Sequence, residues 1–306
     1  MNQKKAIVTG VMGQDGTYLR RLLLKNGYSV LGISGNSTKN NICIDENITL
    51  FNCDITQYKN VKDLIINYSP DIVFNLAGYS NVFEPWKDYE TVLNLTTKIP
   101  ENFICAISSH SPQTRFCQAS SCLVFGKTNT AVQNEETNRD PLYPYGIAKN
   151  YIDGLISDQR KNCNAHFTSA IFYNHESPYR GDNFFTKKII NFAKTFDKSK
   201  ILNLNNLNTQ KDIGFAGEYV EAMYKIATSD LPNDYIVSTN SLVCLKEIID
   251  YVCELSGNNL WNSINVDDTK GNNVILRGDN SKIKKELNWY PKYNWKQVIK
   301  LIWENN

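Results

Sequence analysis

The stretch "VTGVMGQDGTYL", residues 8–19, decides how the chain is read. Gly10, Gly13 and Gly16 recur at three-residue spacing. Before them lies a short apolar run, residues 5–9. After them, Leu19, Leu22 and Leu23 share one helical face, and Gly27 stands where that helix would stop. Glycines between a strand and a helix let a phosphate approach the backbone and rest on the helix N-terminus. The usual dinucleotide turn reads G-x-G-x-x-G, whereas this one reads G-x-x-G-x-x-G. Glycines also serve plain tight turns, so the surroundings must decide.

Working outward, the pattern repeats. Strands are expected at residues 29–33, 48–51, 71–76, 114–120 and 168–172. Helices are expected at 16–26, 60–68, within 89–108 and at 145–160. Strands alternating with helices mean parallel βαβ units. The expected fold is α/β, a Rossmann-like doubly wound parallel sheet whose ligands sit outside the carboxyl ends of the strands. After residue 173 the regularity breaks into loops, short helices and isolated strands. The expected division is a dinucleotide-binding domain at 1–173, with a returning segment near 212–240, and a smaller C-terminal substrate-binding lobe at 174–306.

Composition removes several function classes. The chain has 306 residues, 42% of them hydrophobic, and a formal charge of +2. That balance gives no case for nucleic acid or an acidic membrane surface. No apolar run approaches the roughly 20 residues of a membrane span. "MNQKKAIVTG" goes straight into a strand pattern without the apolar stretch of a signal peptide, so the chain reads as cytoplasmic. Eight cysteines form no C-x-x-C pair and read as reduced thiols. His110, His166 and His175 show no metal spacing, and no metal site is expected.

Taken together, the motifs resemble the extended short-chain dehydrogenase/reductase superfamily. More specifically, they resemble its nucleotide-sugar branch around the GDP-mannose 4,6-dehydratases. "TGVMGQDGTYL" is similar to that branch's T-G-x-x-G-Q-D-G turn, and "NLAG" (residues 75–78) to its segment beside the cofactor. "FYNHESPYRGDNFFTKKI" (172–189) and "EYVEAMYKIA" (218–227) extend the resemblance. The resemblance implies that Gly10, Gly13, Gln14, Asp15 and Gly16 line a dinucleotide pyrophosphate and that Asp54 contacts adenine. Ile55, Leu76, Ala77, Gly78 and Asn94 complete the cofactor wall. Why the turn needs Gln14 and Asp15 does not follow from the sequence; Asp15 is expected at most to cap the helix.

An NAD enzyme places an acid near the end of the second strand to bond the ribose 2′-hydroxyl. Here "LGISGNSTKN" (31–40) holds no carboxylate. Ser34, Asn36, Ser37 and Lys39 suit a 2′-phosphate, which favours NADP(H) and leaves NAD(H) open.

Tyr145 and Lys149 lie one helical turn apart in "YPYGIAK". A neighbouring ammonium is expected to favour the phenolate and ease proton exchange with a sugar hydroxyl. In "QASSCLVFG" (118–126), Ser121 takes the place of the family's catalytic hydroxyl, with Ser120 the alternative if the register shifts by one. The family's glutamate, which removes the C5 proton, falls on Leu123. Cys122 is one residue away, and Glu135 is the candidate substitute acid.

On the substrate side the resemblance points to Ser80, Asn174, His175, Arg180, Lys187, Lys211 and Arg277, with Lys270 a weaker candidate. The expected activity is an NADP(H)-dependent 4-ketoreductase of a GDP-linked 4-keto-6-deoxy sugar. The alternatives are a 4,6-dehydratase, a C4 epimerase or dehydrogenase with tightly held nicotinamide, and a catalytically silent binding protein. A homo-oligomer, dimer or larger, is the expected assembly.

Overall fold

The computed structural model describes residues 3–34, 43–45, 48–79, 89–267 and 274–306. The first half builds seven strands: β1 (Lys4–Thr9), β2 (Tyr28–Ser34), β3 (Cys43–Asp45), β4 (Ile48–Asn52), β5 (Ile72–Asn75), β6 (Arg115–Ser121) and β7 (Phe167–Phe172). Between them run α1 (Gln14–Lys25), α2 (Tyr58–Tyr68), α3 (Tyr89–His110) and α4 (Pro144–Cys163). Every residue of β5 and of β7 is buried, as expected of strands covered on both faces.

The second half begins with β8 (Asn174–Glu176), α5 (Phe185–Lys194), β9 (Leu202–Asn205) and β10 (Gln210–Phe215). It continues with α6 (Ala216–Thr228), β11 (Tyr235–Val237), β12 (Leu242–Cys244), α7 (Leu245–Ser256) and β13 (Ile264–Asp267). It ends with α8 (Ser281–Leu287) and α9 (Trp295–Glu304). The central sheet has eight strands in the order β11-β7-β6-β5-β1-β2-β4-β3. All its pairs are parallel except the edge pair of β3 with β4. The chain returns to this sheet through α6 and β11. The lobe holds a three-stranded sheet, β12-β10-β8, a two-stranded one, β13-β9, and its own apolar core.

Leu19 and Leu23 of α1 share one core with Tyr219, Met223 and Ile226 of α6. On the opposite face Val61 and Ile65 of α2, Phe103 and Ile107 of α3, and Ile152 and Ile156 of α4 form a second. The order reverses at β1, which lies between β2 and β5, so a crevice opens at the carboxyl ends of β1 and β5. Among the described residues no helix is long and apolar enough to cross a membrane.

The opening turn differs from its sequence reading in one respect. Helix α1 starts at Gln14, two residues before Gly16, because Gly13 serves as its N-cap. Gly10 holds φ at +65°, a left-handed conformation that glycine adopts without strain. Gly16 then packs so tightly on the turn that a Cβ there would stand 2.4 Å from the Gly10 carbonyl oxygen.

Candidate active site

The crevice is floored by a buried polar ladder that crosses three strands. Thr9 Oγ1 donates to Asn75 Oδ1 at 2.6 Å, and Asn75 Nδ2 donates to Gln118 Oε1 at 2.8 Å. Gln118 Nε2 then donates to the Ala119 carbonyl at 2.7 Å. The same carbonyl accepts Lys149 Nζ at 2.6 Å. Thr9 Oγ1 also accepts the amides of Leu76 and Ala77, at 3.1 and 2.9 Å, which fixes the turn after β5. Thr9, Asn75 and Gln118 are fully buried. Sequence reading quoted Asn75 and Gln118 within motifs but gave none of the three a bond, although polar residues in otherwise apolar strand ends were the available signal.

Lys149 stands with its ammonium 5.5 Å from the centre of the Tyr145 ring, and Gly78 lies beside the same ammonium. Burial pushes Lys149 down to about 8, while Asp153 pulls the other way. Burial also pushes the Tyr145 phenol above its ordinary value, with Cys122 and Asp15 adding to the rise and Arg180 opposing it. The expected lowering of the phenol by Lys149 is therefore not what these residues produce: desolvation of the phenolate is the larger effect.

Ser121 ends β6 and caps the short 3-10 turn Cys122–Val124, its Oγ accepting the Leu123 amide at 3.3 Å. Ser120 points to the other face. Its Oγ donates to Asp153 Oδ2 at 2.6 Å, in a cluster with Ser169 Oγ at 2.7 Å and Arg139 at 2.8 Å. The one-residue shift that would have made Ser120 the site hydroxyl is thereby corrected: strand alternation sends it into this cluster. Leu123 packs against the sheet's core, and its carbonyl lies where a Cβ on Gly146 of α4 would be, so only glycine fits there. Cys122 is buried, and burial pushes its thiol up to about 12, so it is no base near neutral pH. Glu135 serves the sheet edge instead, accepting the Ile236 amide at 2.9 Å. As a substitute acid it is misplaced.

The phosphate turn answers the question posed by Gln14 and Asp15. Their side chains reach the segment after β7, 160 residues along the chain. Asp15 Oδ2 lies 3.1 Å from His175 Nε2, while Gln14 Oε1 accepts Ser177 Oγ at 2.9 Å and Gln14 Nε2 donates to the His175 carbonyl at 3.3 Å. Asp15 does not cap α1, whose N-terminus carries no side-chain cap. That uncapped N-terminus fits a phosphate group well, and Gly13 before it leaves no side chain in the way, a Cβ there standing 3.3 Å from the Gly10 carbonyl oxygen. The phosphate would be held by the amides at Gln14, Asp15 and Gly16, the Gly13 amide being already bonded to the Gly10 carbonyl at 2.9 Å.

The remaining candidates separate clearly. Asp54 is exposed and accepts Thr56 Oγ1 at 2.5 Å, a bond that lowers its carboxyl. Ile55 is buried, and Asn94 lies exposed on α3. Ser34 ends β2, but Asn36, Ser37, Lys39, Ser80 and Lys270 lie outside the described residues. Asn174 and His175 lie on β8, beside β10. Arg180 stacks over Phe184 at 3.6 Å and pairs with Glu176 at 3.4 Å. Lys211 is pushed down by burial, with Cys122 opposing the shift. Asp212 accepts the amides of Thr239 and Asn240, at 2.8 and 2.9 Å, and Asn240 in turn anchors Arg277 Nε at 2.9 Å. Lys187 is buried and donates to the Pro178 carbonyl and to Asn306. Among the described residues no cluster has the make-up of a metal site.

With this geometry in place, the chain can be set beside known proteins. A family model described as GDP-mannose 4,6 dehydratase matches residues 7–302. A GDP-mannose 4,6-dehydratase of Sinorhizobium fredii is 33% identical over 273 aligned residues, which span 84% of this chain and 77% of that protein. GDP-mannose 4,6 dehydratase 1 of Arabidopsis thaliana is 30% identical over 326 aligned positions, covering 98% and 89%. Among solved structures, dTDP-glucose 4,6-dehydratase from Bacillus anthracis in complex with NAD superposes with a TM-score of 0.87 at 17% identity, covering 98% of this chain and 96% of its own. UDP-glucose 4-epimerase from Thermotoga maritima with UDP-glucose gives 0.88 at 16%, with 98% of both chains covered. RMD from Pseudomonas aeruginosa complexed with NADPH gives 0.81 at 19%, covering 99% and 98%. At such identities the structures speak to the fold alone.

Proposed function

The chain belongs to the GDP-mannose 4,6-dehydratase family, and we propose that within it this protein is an NADP(H)-dependent ketoreductase that reduces C4 of a GDP-linked 4-keto-6-deoxy sugar. The observation that carries this reading is Leu123. By resemblance to the family's motif it falls where the glutamate is expected, and leucine cannot exchange a proton. The two carboxylates that act on Tyr145 are Asp15 and Asp153, and both are taken, by His175 and by Ser120, Ser169 and Arg139. Cys122 is held as a thiol. Among the described residues, removal of the C5 proton and expulsion of the C6 hydroxyl therefore find no free carboxylate or thiolate beside Tyr145 and Lys149.

Reduction at C4 asks for less. A nicotinamide cofactor supplies the hydride when bound. Tyr145 donates its hydroxyl proton to the C4 oxygen as the carbonyl becomes an alcohol, and Ser121 donates a hydrogen bond to the same oxygen. Lys149, anchored on Ala119, keeps a positive charge beside the tyrosine as the phenolate forms. Asn174, Arg180, Lys211 and Arg277 are the residues this reading assigns to the sugar nucleotide. Lysine at 211 supplies charge without a guanidinium's fork. Exposed Ile147 and Tyr151 on α4 support a homo-oligomer joined through that helix.

The test is direct. The protein is incubated with GDP-linked 4-keto-6-deoxy sugars and NADPH or NADH, with cofactor absorbance and product mass followed. Catalytic oxidation of NADPH with a gain of two mass units supports the reading. Equal or better binding of NADH in a calorimetric titration refutes the cofactor preference. Stoichiometric rather than catalytic turnover points to an enzyme with tightly held nicotinamide.

A further inference from the structure

The contact between Asp15 and His175 has a role beyond joining two parts of the chain. Asp15 sits in the first turn of α1, where a carboxylate suits the helix dipole but opposes a diphosphate at the same N-terminus. Its side chain is only 21% exposed, so water screens it weakly. The partner is His175, whose Nδ1 faces the Tyr173 carbonyl at 2.8 Å and whose Nε2 faces Asp15 Oδ2 at 3.1 Å. Both partners are acceptors only. A neutral imidazole carries one N–H and satisfies one of them; the imidazolium satisfies both. The ring is fixed in that pose by Tyr219 of α6, 4.9 Å away, and by the edge of Phe172 at 5.1 Å.

We propose that His175, as an imidazolium, cancels the charge of Asp15 beneath the phosphate turn and so lets the α1 N-terminus accept a dinucleotide diphosphate. His175 is then a positioning residue for the cofactor, contributed by the lobe that holds the sugar nucleotide. The inference rests on the proposed nicotinamide cofactor but not on the sugar or on the reaction at C4. The charged groups around the ring are Asp15 from α1, Glu176 on its own strand and Arg180 from the following loop, with the un-ionised Tyr219 from α6. Burial alone would lower the imidazole. The Asp15 carboxylate and its hydrogen bond outweigh burial and hold the imidazole above its ordinary value. Asp15 is raised by burial but lowered more by His175 and Arg180. Loss of the His175 proton thus uncovers a negative charge at the phosphate site, and cofactor affinity falls as pH rises through that raised value.

The experiment titrates the whole protein with NADPH, and in parallel with NADH, by calorimetry between pH 6 and pH 9. His175→Gln is expected to weaken binding about tenfold to a hundredfold at pH 6.5, from one uncompensated charge near the diphosphate. Asp15→Asn is expected to bind at least as tightly as wild type, and the double variant to return to within about threefold of it. The ratio of wild-type to Asp15→Asn affinity is expected to fall from pH 6 to pH 9. Each cofactor's own titration cancels in that ratio. A double variant as weak as His175→Gln, or a flat ratio, overturns the proposal. If His175→Gln does not fold, Asp15→Asn decides alone: weakened binding at pH 6.5 overturns the proposal. A wild type that binds neither dinucleotide overturns the proposed function along with it, whereas wild-type binding with no effect of the substitutions overturns this inference only.

Discussion

Lys149 Nζ and the Ala119 carbonyl oxygen lie 2.6 Å apart, with the lysine itself buried and Ala119 half-buried. The carbonyl is shared with Gln118, whose own partner is Asn75, whose partner is Thr9, the residue before the phosphate turn. One line of hydrogen bonds therefore runs from the glycine turn to the lysine beside Tyr145. Its members can be tested separately.

Lys149→Met should stabilise the fold and abolish activity. Burial holds the folded lysine at about 8, against an ordinary value of 10.5. The unfolded chain binds that proton more tightly, so the charged lysine opposes folding at neutral pH by about 3 kcal/mol. Methionine keeps the apolar stem and removes the charge. Urea unfolding at pH 7 should show the gain. As pH rises from about 8 to 10.5, wild type sheds the penalty and the gap between the two proteins should close. A gap that stays constant over that range would locate the effect elsewhere.

Gln118→Met should cost stability and move the pH profile. Asn75 Nδ2 loses its acceptor in a fully buried place, worth about 1–3 kcal/mol. The Ala119 carbonyl, no longer shared, binds the Lys149 ammonium more firmly. The lysine then keeps its proton to higher pH, and the alkaline limb of the reduction profile should move upward with it. A variant that melts earlier but keeps the wild-type limb would reduce Gln118 to a packing role.

Tyr145→Phe removes the hydroxyl and leaves the ring over Lys149. Reduction should fall by about 10²–10⁴-fold, the usual worth of a positioned acid. The Kd for NADPH should change little, since the phosphate turn is untouched. Near-native turnover would remove Tyr145 from the role of proton donor.

How much of this was legible in the sequence follows from the range of each interaction. The doubly wound sheet was, because strand and helix periods alternate from residue 4 to residue 172. The edge strand β3 was not: three antiparallel residues carry no period. The start of α1 was misread by two residues because Gly16 looked like the helix start, while its actual duty is to let the helix touch Gly10. Spacing alone set Tyr145 and Lys149 on one face. It could not show that burial, rather than the lysine, governs the phenol. Gln14 and Asp15 stayed unexplained because their partners, His175 and Ser177, lie some 160 residues away. The partner of Lys187 was not legible either, because a sequence displays a charge without displaying the Pro178 carbonyl that accepts from it.

The last prediction concerns Leu123, on which the choice between reduction and dehydration turns. Water loss from GDP-mannose needs a base for the C5 proton and an acid for the departing C6 hydroxyl. Leu123 packs against the sheet's core and supplies neither. Around Tyr145 the thiol of Cys122 is held protonated by burial, and Asp15 and Asp153 are committed to His175 and to the Ser120, Ser169 and Arg139 cluster. Loss of general acid–base assistance costs about 10²–10⁴-fold for each proton transfer. Incubation with GDP-mannose and oxidised cofactor should therefore give no product lighter by one water in mass spectrometry. Deuteride from labelled NADPH should meanwhile appear at C4 of a GDP-linked 4-keto-6-deoxy sugar, because that transfer uses Tyr145, Lys149 and Ser121. Catalytic loss of water would return the protein to the dehydratases and require a proton-transfer group outside the residues that surround Tyr145.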